Sequence, residues 1–227
     1  MIGRPRVHHR LTDSTNERAR DLASGGAPHG TIVTAAEQTA GRGRQGRTWT
    51  ATPGEALLLS AIVRELAPRH ALLPMMAALA VCEAAEAVAP VSCEIKWPND
   101  VWIERRKLSG ILVEARPAAG WAVVGIGLNT GVSEFPEELR EIATTLRLGS
   151  PDVALTPLLA SFERWEMANS DEVLPAWRDR DALEGSQVRW QDGEGTARGV
   201  DDAGSLLVET GAGDLVTLGA GEVHLLR

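Results

Sequence analysis

The last 45 residues, Leu183 to Arg227, contain nine glycines but no proline and no lysine. Their apolar and polar side chains alternate in short runs: Gln187–Gln191, Thr196–Val200, Ser205–Glu209, Asp214–Leu218 and Glu222–Leu226. A period of two marks strands that bury one face, and Asp192-Gly193 and Gly211-Ala212-Gly213 supply the reversals between them. So many short strands in so little chain hide their inner faces by curling into a small barrel. The chain therefore reads as two domains, 1–182 and 183–227.

Upstream of that break the periodicity is mixed. Pro74 to Ala89, with Met75, Met76, Leu79, Val81, Val88 and many alanines, predicts a largely buried helix. Ser14-Thr15-Asn16-Glu17 has capping-box spacing, which predicts a helix to about Ser24 that stops at Gly25-Gly26. Strands are expected at Thr31–Ala36, Ala56–Arg64, Cys93–Trp97, Leu108–Glu114 and Trp121–Leu128. A shorter strand at Val101–Ile103 pairs through the Glu104-Arg105-Arg106 turn. Thr156-Pro157 predicts a helix start running to about Ala168, and residues 172–182 read as helical with a break at Pro175.

Composition excludes several classes. At 44% apolar and 24% charged residues the chain is an ordinary globular protein. No apolar run approaches the ~20 residues that span a bilayer. Met1-Ile2-Gly3-Arg4-Pro5-Arg6 is basic without an apolar stretch behind it, so no secretory signal is expected. Cys82 and Cys93 show neither metal-ligand spacing nor a disulfide framework. They read as buried thiols, and a cytoplasmic, reducing compartment follows.

The net charge of −8 is unevenly placed. Residues 1–50 carry eight arginines against four acids, whereas the rest carries 15 basic against 27 acidic residues. Of 23 basic side chains only two, Lys96 and Lys107, are lysine. A compact ammonium kept in an arginine-rich background points to a site where a planar guanidinium does not serve.

Both lysines lie beside motifs that suit anion chemistry. Gly41-Arg42-Gly43-Arg44-Gln45-Gly46-Arg47 alternates backbone that can approach a phosphate with charge-assisted donors. With no acid among its arginines, this loop is expected to stay mobile until a polyanion such as a nucleoside triphosphate orders it. Lys96-Trp97-Pro98-Asn99-Asp100 ends a strand and leaves Asn99 and Asp100 at its mouth, where they could hold Mg²⁺ with substrate phosphates. In Lys107-Leu108-Ser109-Gly110-Ile111-Leu112-Val113-Glu114, Gly110 lets a ligand lie against backbone, and Gly125-Ile126-Gly127-Leu128-Asn129 repeats the device.

These segments, together with Ser14-Thr15-Asn16 and Glu37-Gln38-Thr39-Ala40, resemble the motif series of biotin protein ligases, in order and at matching spacing over about residues 9–227. The resemblance implies an α+β fold: a mixed or antiparallel sheet with packed helices, like the class II synthetases, plus a C-terminal SH3-like β-barrel. It implies ATP-dependent conversion of biotin to biotinyl-5′-AMP and transfer to one lysine of a biotin carboxyl carrier domain, as in acetyl-CoA carboxylase. Lys107, Arg42, Arg44 and Asp100 are then the catalytic candidates. Ser14, Thr15, Asn16, Gln38, Gly41, Arg42, Arg44, Trp49, Lys107, Gly110 and Gly127 are the biotin-binding ones. Arg42, Arg44, Arg47, Trp49, Asn99, Lys107 and Asn129 would bind ATP, and Asn99 and Asp100 the Mg²⁺.

Lipoate ligases and octanoyl transferases share such a scaffold but lack the Gly-Arg loop beside Trp-Pro-Asn-Asp. A biotin-responsive repressor is the other alternative. Only thirteen residues precede Ser14, too few for a DNA-binding domain, so the expectation is a monofunctional enzyme without DNA or membrane partners. An RNA-binding module is disfavoured by the acidic balance. Oligomeric state is left open, a homodimer being one option.

Overall fold

The computed structural model describes every residue except Ala220 and Arg227; the end of the expected resemblance, Arg227, thus lies outside the described residues. Seven strands form the main sheet: β1 (Arg6–His9), β2 (Ile32–Ala35), β3 (Ala56–Arg64), β4 (Glu94–Lys96), β5 (Asp100–Ile103), β6 (Arg106–Arg116) and β7 (Trp121–Asn129). Their order is β1-β2-β3-β7-β6-β5-β4, with β1 parallel to β2 and the remaining pairs antiparallel. β1 was not foreseen, because Arg6-Val7-His8-His9 carries a single apolar side chain and pairs only as an edge. The expected Thr31–Ala36 and Ala56–Arg64 strands are β2 and β3.

The strands' period of two sorts their side chains onto two helices. Leu57, Leu59, Ala61 and Val63 of β3, with Ala122, Val124, Ile126 and Leu128 of β7, face α2 (Leu73–Val88). On the opposite face Ile62, Trp121 and Val123 cover Ala19 and Ala23 of α1 (Thr15–Ser24). α2 is sandwiched in turn by α3 (Asp152–Met167) and α4 (Ser170–Arg178).

Together with a preceding 3₁₀ turn, α2 makes one helical stretch, Pro68–Val88, of 21 residues and mean hydropathy 1.7. By length and composition that matches a membrane span, although Arg69, His70, Glu83 and Glu86 interrupt its apolar residues. The stretch is 67% buried inside the protein, so its apolarity is satisfied by the core. Two helix boundaries are also corrected. α3 begins at Asp152 rather than at Thr156-Pro157, because Ala154 and Leu155 are buried and extend the apolar face upstream. α4 runs through Pro175 without a break and ends at Arg178 rather than near 182.

The C-terminal segment forms a second sheet from β8 (Gln187–Trp190), β9 (Gly193–Val200), β10 (Leu206–Thr210), β11 (Leu215–Leu218) and β12 (His224–Leu225). Its order is β11-β10-β9-β8-β12 and every pair is antiparallel. Val188, Ala197, Val200, Leu206, Val208 and Val223 join the same apolar core as α2, so the two sheets share an interior. Trp97 Nε1 donates to Gly204 O at 3.0 Å across that junction.

Asp181, just before β8, is poorly accommodated. Its Oδ1 accepts from Leu183 N at 2.8 Å, but Oδ2 is buried without a partner. Burial raises its pKa from 3.8 to about 6. A folded-state value above the unfolded one means that stability is full below pH 3.8 and declines as pH rises through about 6. Asp181→Asn is therefore expected to gain about 1–3 kcal/mol at pH 8 and almost nothing at pH 4, checked by thermal melts at both pH values.

Candidate active site

The α1 face of the sheet changes character halfway along its strands. At one end Trp121, Val123 and Ile62 pack α1; two residues further the same face presents Gly125, Gly127 and Gly110. Register places Gly110 opposite Gly127, with Leu58 on the other side, and Gly125 between Ser60 and Leu112. Bulky side chains thus give way to a bare backbone floor, and a cavity opens over it.

One wall is the start of α1. Ser14 makes no side-chain cap bond, so the capping-box reading is corrected: Asp13 Oδ1 receives Ser14 N at 2.6 Å instead. Ser14 lines the cavity. Gln38 Oε1 accepts from Thr15 N at 2.7 Å and from Thr15 Oγ1 at 3.0 Å, which orients the Gln38 amide along the same wall. Ser60, the single polar residue within Leu57–Val63, donates to Asn16 Oδ1 at 2.6 Å and lies 2.8 Å from Thr15 Oγ1. Asn16 Nδ2 donates to Glu114 Oε2 at 2.9 Å and to Leu112 O at 3.3 Å. Both of its polar atoms are therefore committed to protein.

The glycine-arginine loop forms the roof. Gly43 N donates to Arg47 O at 2.7 Å and Trp49 N to Gly41 O at 2.9 Å, which pinches the segment into a small hairpin. A Cβ at Gly41 would sit 2.3 Å from Trp49 O, so this position requires glycine. Beyond the hairpin the Trp49 indole lies on the floor. A Cβ on Gly127 would meet its ring at 2.5 Å and one on Gly110 at 3.1 Å, and Trp49 Nε1 is buried without a partner.

Five cations line the cavity, Arg42 among them. Lys107 Nζ lies 2.7 Å from Asp100 Oδ1 and 5.7 Å from the Trp49 ring centre. Arg44 reaches Asn99 Oδ1 and Gly221 O, each at 3.3 Å, and burial works against its charge. Arg47 pairs with Glu222, and Lys96 sits 5.2 Å above the Trp102 ring. Burial pulls the Lys96 pKa down, Asp100 opposes this, and the like charges of Lys107 and Arg47 add to it. Lys96, singled out with Lys107 as one of the two lysines but given no binding or catalytic role, lines the same cavity.

The structure brings most of the expected residues to one cavity and leaves two aside. Gly41 shapes the hairpin instead of facing the space. Asn129 is buried, its Nδ2 donating to Thr144 O at 3.1 Å, and it does not line the cavity. The arginines are not without acids in space: Arg42 pairs with Glu17 and Glu114, and Arg47 with Glu222. Those carboxylates come from distant segments, which local charge counting does not see. The fit to a protein-held metal is poor. Asn99 Oδ1 and Asp100 Oδ1 already face Arg44 and Lys107, and the described residues contain no cluster of three His, Cys, Asp or Glu with metal-ligand placement.

The sequence profile of the biotin/lipoate A/B protein ligase family matches residues 8–130, more than half of the chain. The chain belongs to that family. The profile of the biotin protein ligase C-terminal domain matches residues 185–226, the second sheet of this family member. A Mycobacterium tuberculosis relative named biotin–[acetyl-CoA-carboxylase] ligase is 39% identical, over 95% of this chain and 87% of its own. The bifunctional ligase/repressor BirA of Bacillus subtilis is 34% identical, over 94% of this chain and 72% of its own length. Among solved structures, a biotin protein ligase from Aquifex aeolicus in complex with biotin and ATP superposes with TM-score 0.84 at 29% identity, covering 99% of each chain. The glycine floor and arginine roof of this ligase-family chain therefore lie in a scaffold whose relatives are named for biotin chemistry.

Proposed function

We propose that the chain is a biotin–[acetyl-CoA-carboxylase] ligase that makes biotinyl-5′-AMP from biotin and ATP, then passes the biotinyl group to a lysine of a carrier domain. One observation carries this reading: Lys107, Lys96, Arg44 and Arg47 ring a single cavity whose floor is glycine backbone with the Trp49 indole lying on it. In the first step a biotin carboxylate oxygen bonds to the α-phosphorus while the bond to the β-phosphate oxygen breaks and pyrophosphate leaves. Two anions meet, so fixed cations must lower their repulsion as the barrier is crossed.

Lys107 is assigned the bridge between carboxylate and α-phosphate, held in aim by Asp100. Arg44 and Arg47 face the phosphates with Lys96. Thr15 and Gln38 address the ureido ring, and the glycine floor takes the apolar tail. In the second step the carrier's amine attacks the acyl carbon, AMP departs, and Asp100 is assigned the proton that the amine loses. Mg²⁺ would arrive with the ATP phosphates and screen their charge. Protein oxygens to hold it are scarce, so no step depends on Asn99 or Asp100 as its ligands. The match of the C-terminal sheet to the biotin ligase domain, and the naming of the relatives, favour biotin over lipoate or octanoate.

The decisive experiment offers purified protein biotin, lipoate or octanoate with Mg-ATP and detects acyl-adenylate by mass spectrometry. Biotinyl-AMP alone is the expected product. Adenylate from lipoate in place of biotin would overturn the assignment.

A further inference from the structure

We infer that Glu17 and Glu114 form a carboxylate catch that holds the glycine-arginine roof shut by gripping Arg42; the inference deepens the reading above and rests on it only for its catalytic consequence. Glu17 lies in the first turn of α1 and Glu114 on β6, and Arg42 reaches across to both. Arg42 Nη1 contacts Glu17 Oε1 and lies 3.7 Å from Glu114 Oε1. Arg20 joins the same two carboxylates at 3.2 and 3.4 Å, so two guanidiniums face two carboxylates. Glu114 is only 17% exposed and its Oε2 receives Asn16 Nδ2 at 2.9 Å, which anchors the catch to the inner wall of the cavity.

The shut roof has a consequence for ligands. The cavity beneath it measures about 130 Å³, against the ~300–1,000 Å³ of pockets that enclose a small molecule. Trp49 lies on Gly110 and Gly127 in this arrangement. A ligand laid on those glycines must displace the Trp49 indole, which follows directly on the roof hairpin, and the catch re-forms when the indole returns. Arg42 lines the same cavity as Lys107, but its guanidinium is taken up by Glu17 and Glu114, so its side chain acts first on the roof's position. A reactive acyl-adenylate is protected from water and retained for as long as the roof stays down. Glu17 and Glu114 are thus positioning residues, and the activated intermediate is what they keep in place.

The test is Glu17→Gln with Glu114→Gln, which preserves side-chain shape while removing both charges, set against Arg20→Met. In ligand-free protein, trypsin cleavage after Arg44 and Arg47 should accelerate about tenfold in the Gln pair, the scale of one lost charge-assisted hydrogen bond. Arg20→Met should cleave like the parent, since Arg42 still has its partners. With biotin and ATP, the Gln pair should release preformed biotinyl-AMP about tenfold faster while forming it within about threefold of the parent rate. Equal trypsin sensitivity in the Gln pair would overturn the catch, as would an Arg20→Met variant that opens equally. A parent protein that forms no adenylate would sink the ligase reading and leave the protease comparison to decide the catch.

Discussion

Lys107→Ala is expected to lower the rate of biotinyl-adenylate formation by on the order of 10²–10³, the loss seen when one preorganised charge partner of a transition state is removed. The argument is electrostatic and geometric. Lys107 Nζ is held by Asp100 at 2.7 Å beneath the roof, and its side chain is 33% exposed, so it is already placed and partly dehydrated before substrates meet. Such a charge stabilises what forms on the reaction path without having to reorganise. Lys107→Arg should not restore the rate. Lys107 Cε and Nζ pass 3.2 Å from where a Cβ on Gly110 would stand, and a planar fork does not fit that channel. Single-turnover quench assays with α-labelled ATP provide the measurement. Near-normal adenylation in Lys107→Ala would show that another group bridges the two anions.

Gly125→Ala is expected to cost about 2–4 kcal/mol of stability, from two to three hydrogen bonds in a buried polar network. The added Cβ would stand 2.1 Å from Asn16 Oδ1 and 2.8 Å from its Cγ, so Asn16 cannot stay. Its departure removes the acceptor from Ser60 and the donor from Glu114 together. The melting temperature should fall by about 4–16 °C, and biotin affinity should fall with it because the same wall carries Ser14 and Thr15. Asn16→Ala in the Gly125→Ala background relieves the clash, so the double variant should be more stable than the sum of the singles predicts. Additive losses in that cycle would mean that Gly125 is needed for some reason other than Asn16.

How far each feature could be read from the chain follows its range. α2 was legible almost to the residue, since a run of apolar residues needs no partner to be identified. The five C-terminal strands were legible in the same way, through alternation and Gly turns. β1 was not, because a single valine among Arg6, His8 and His9 leaves no period. The helix start at Thr156 was misplaced, whereas Ser14 does precede α1 as expected and lacks only the side-chain cap bond. A cap pattern is a local preference of about 1 kcal/mol, and burial of Ala154 and Leu155 outweighs it in α3. At Ser14 the neighbouring Asp13 supplies the backbone acceptor instead.

The site was legible as a list of residues but not as an arrangement. Lys107, the arginines and the floor glycines stood out because their chemistry is unusual where it occurs, whereas Gln38 came only with the family resemblance. Asn16 and Asn129 were both read as ligand groups; Asn16 lines the cavity with its polar atoms bonded to protein, whereas Asn129 lies outside it with Nδ2 on Thr144 O. No property of an asparagine in isolation separates those cases.

By itself the sequence determined the run of short C-terminal strands, the buried helix and the identity of the cationic residues, because periodicity, glycine turns and charge are carried by neighbours in the chain. Only the tertiary structure decided which acid meets which arginine. Arg42 finds Glu17 across 25 positions, and Arg44 finds the Gly221 carbonyl across 177. Coulomb attraction acts through space and is indifferent to sequence separation, so pairing of this kind exists only once the sheets have brought the segments together.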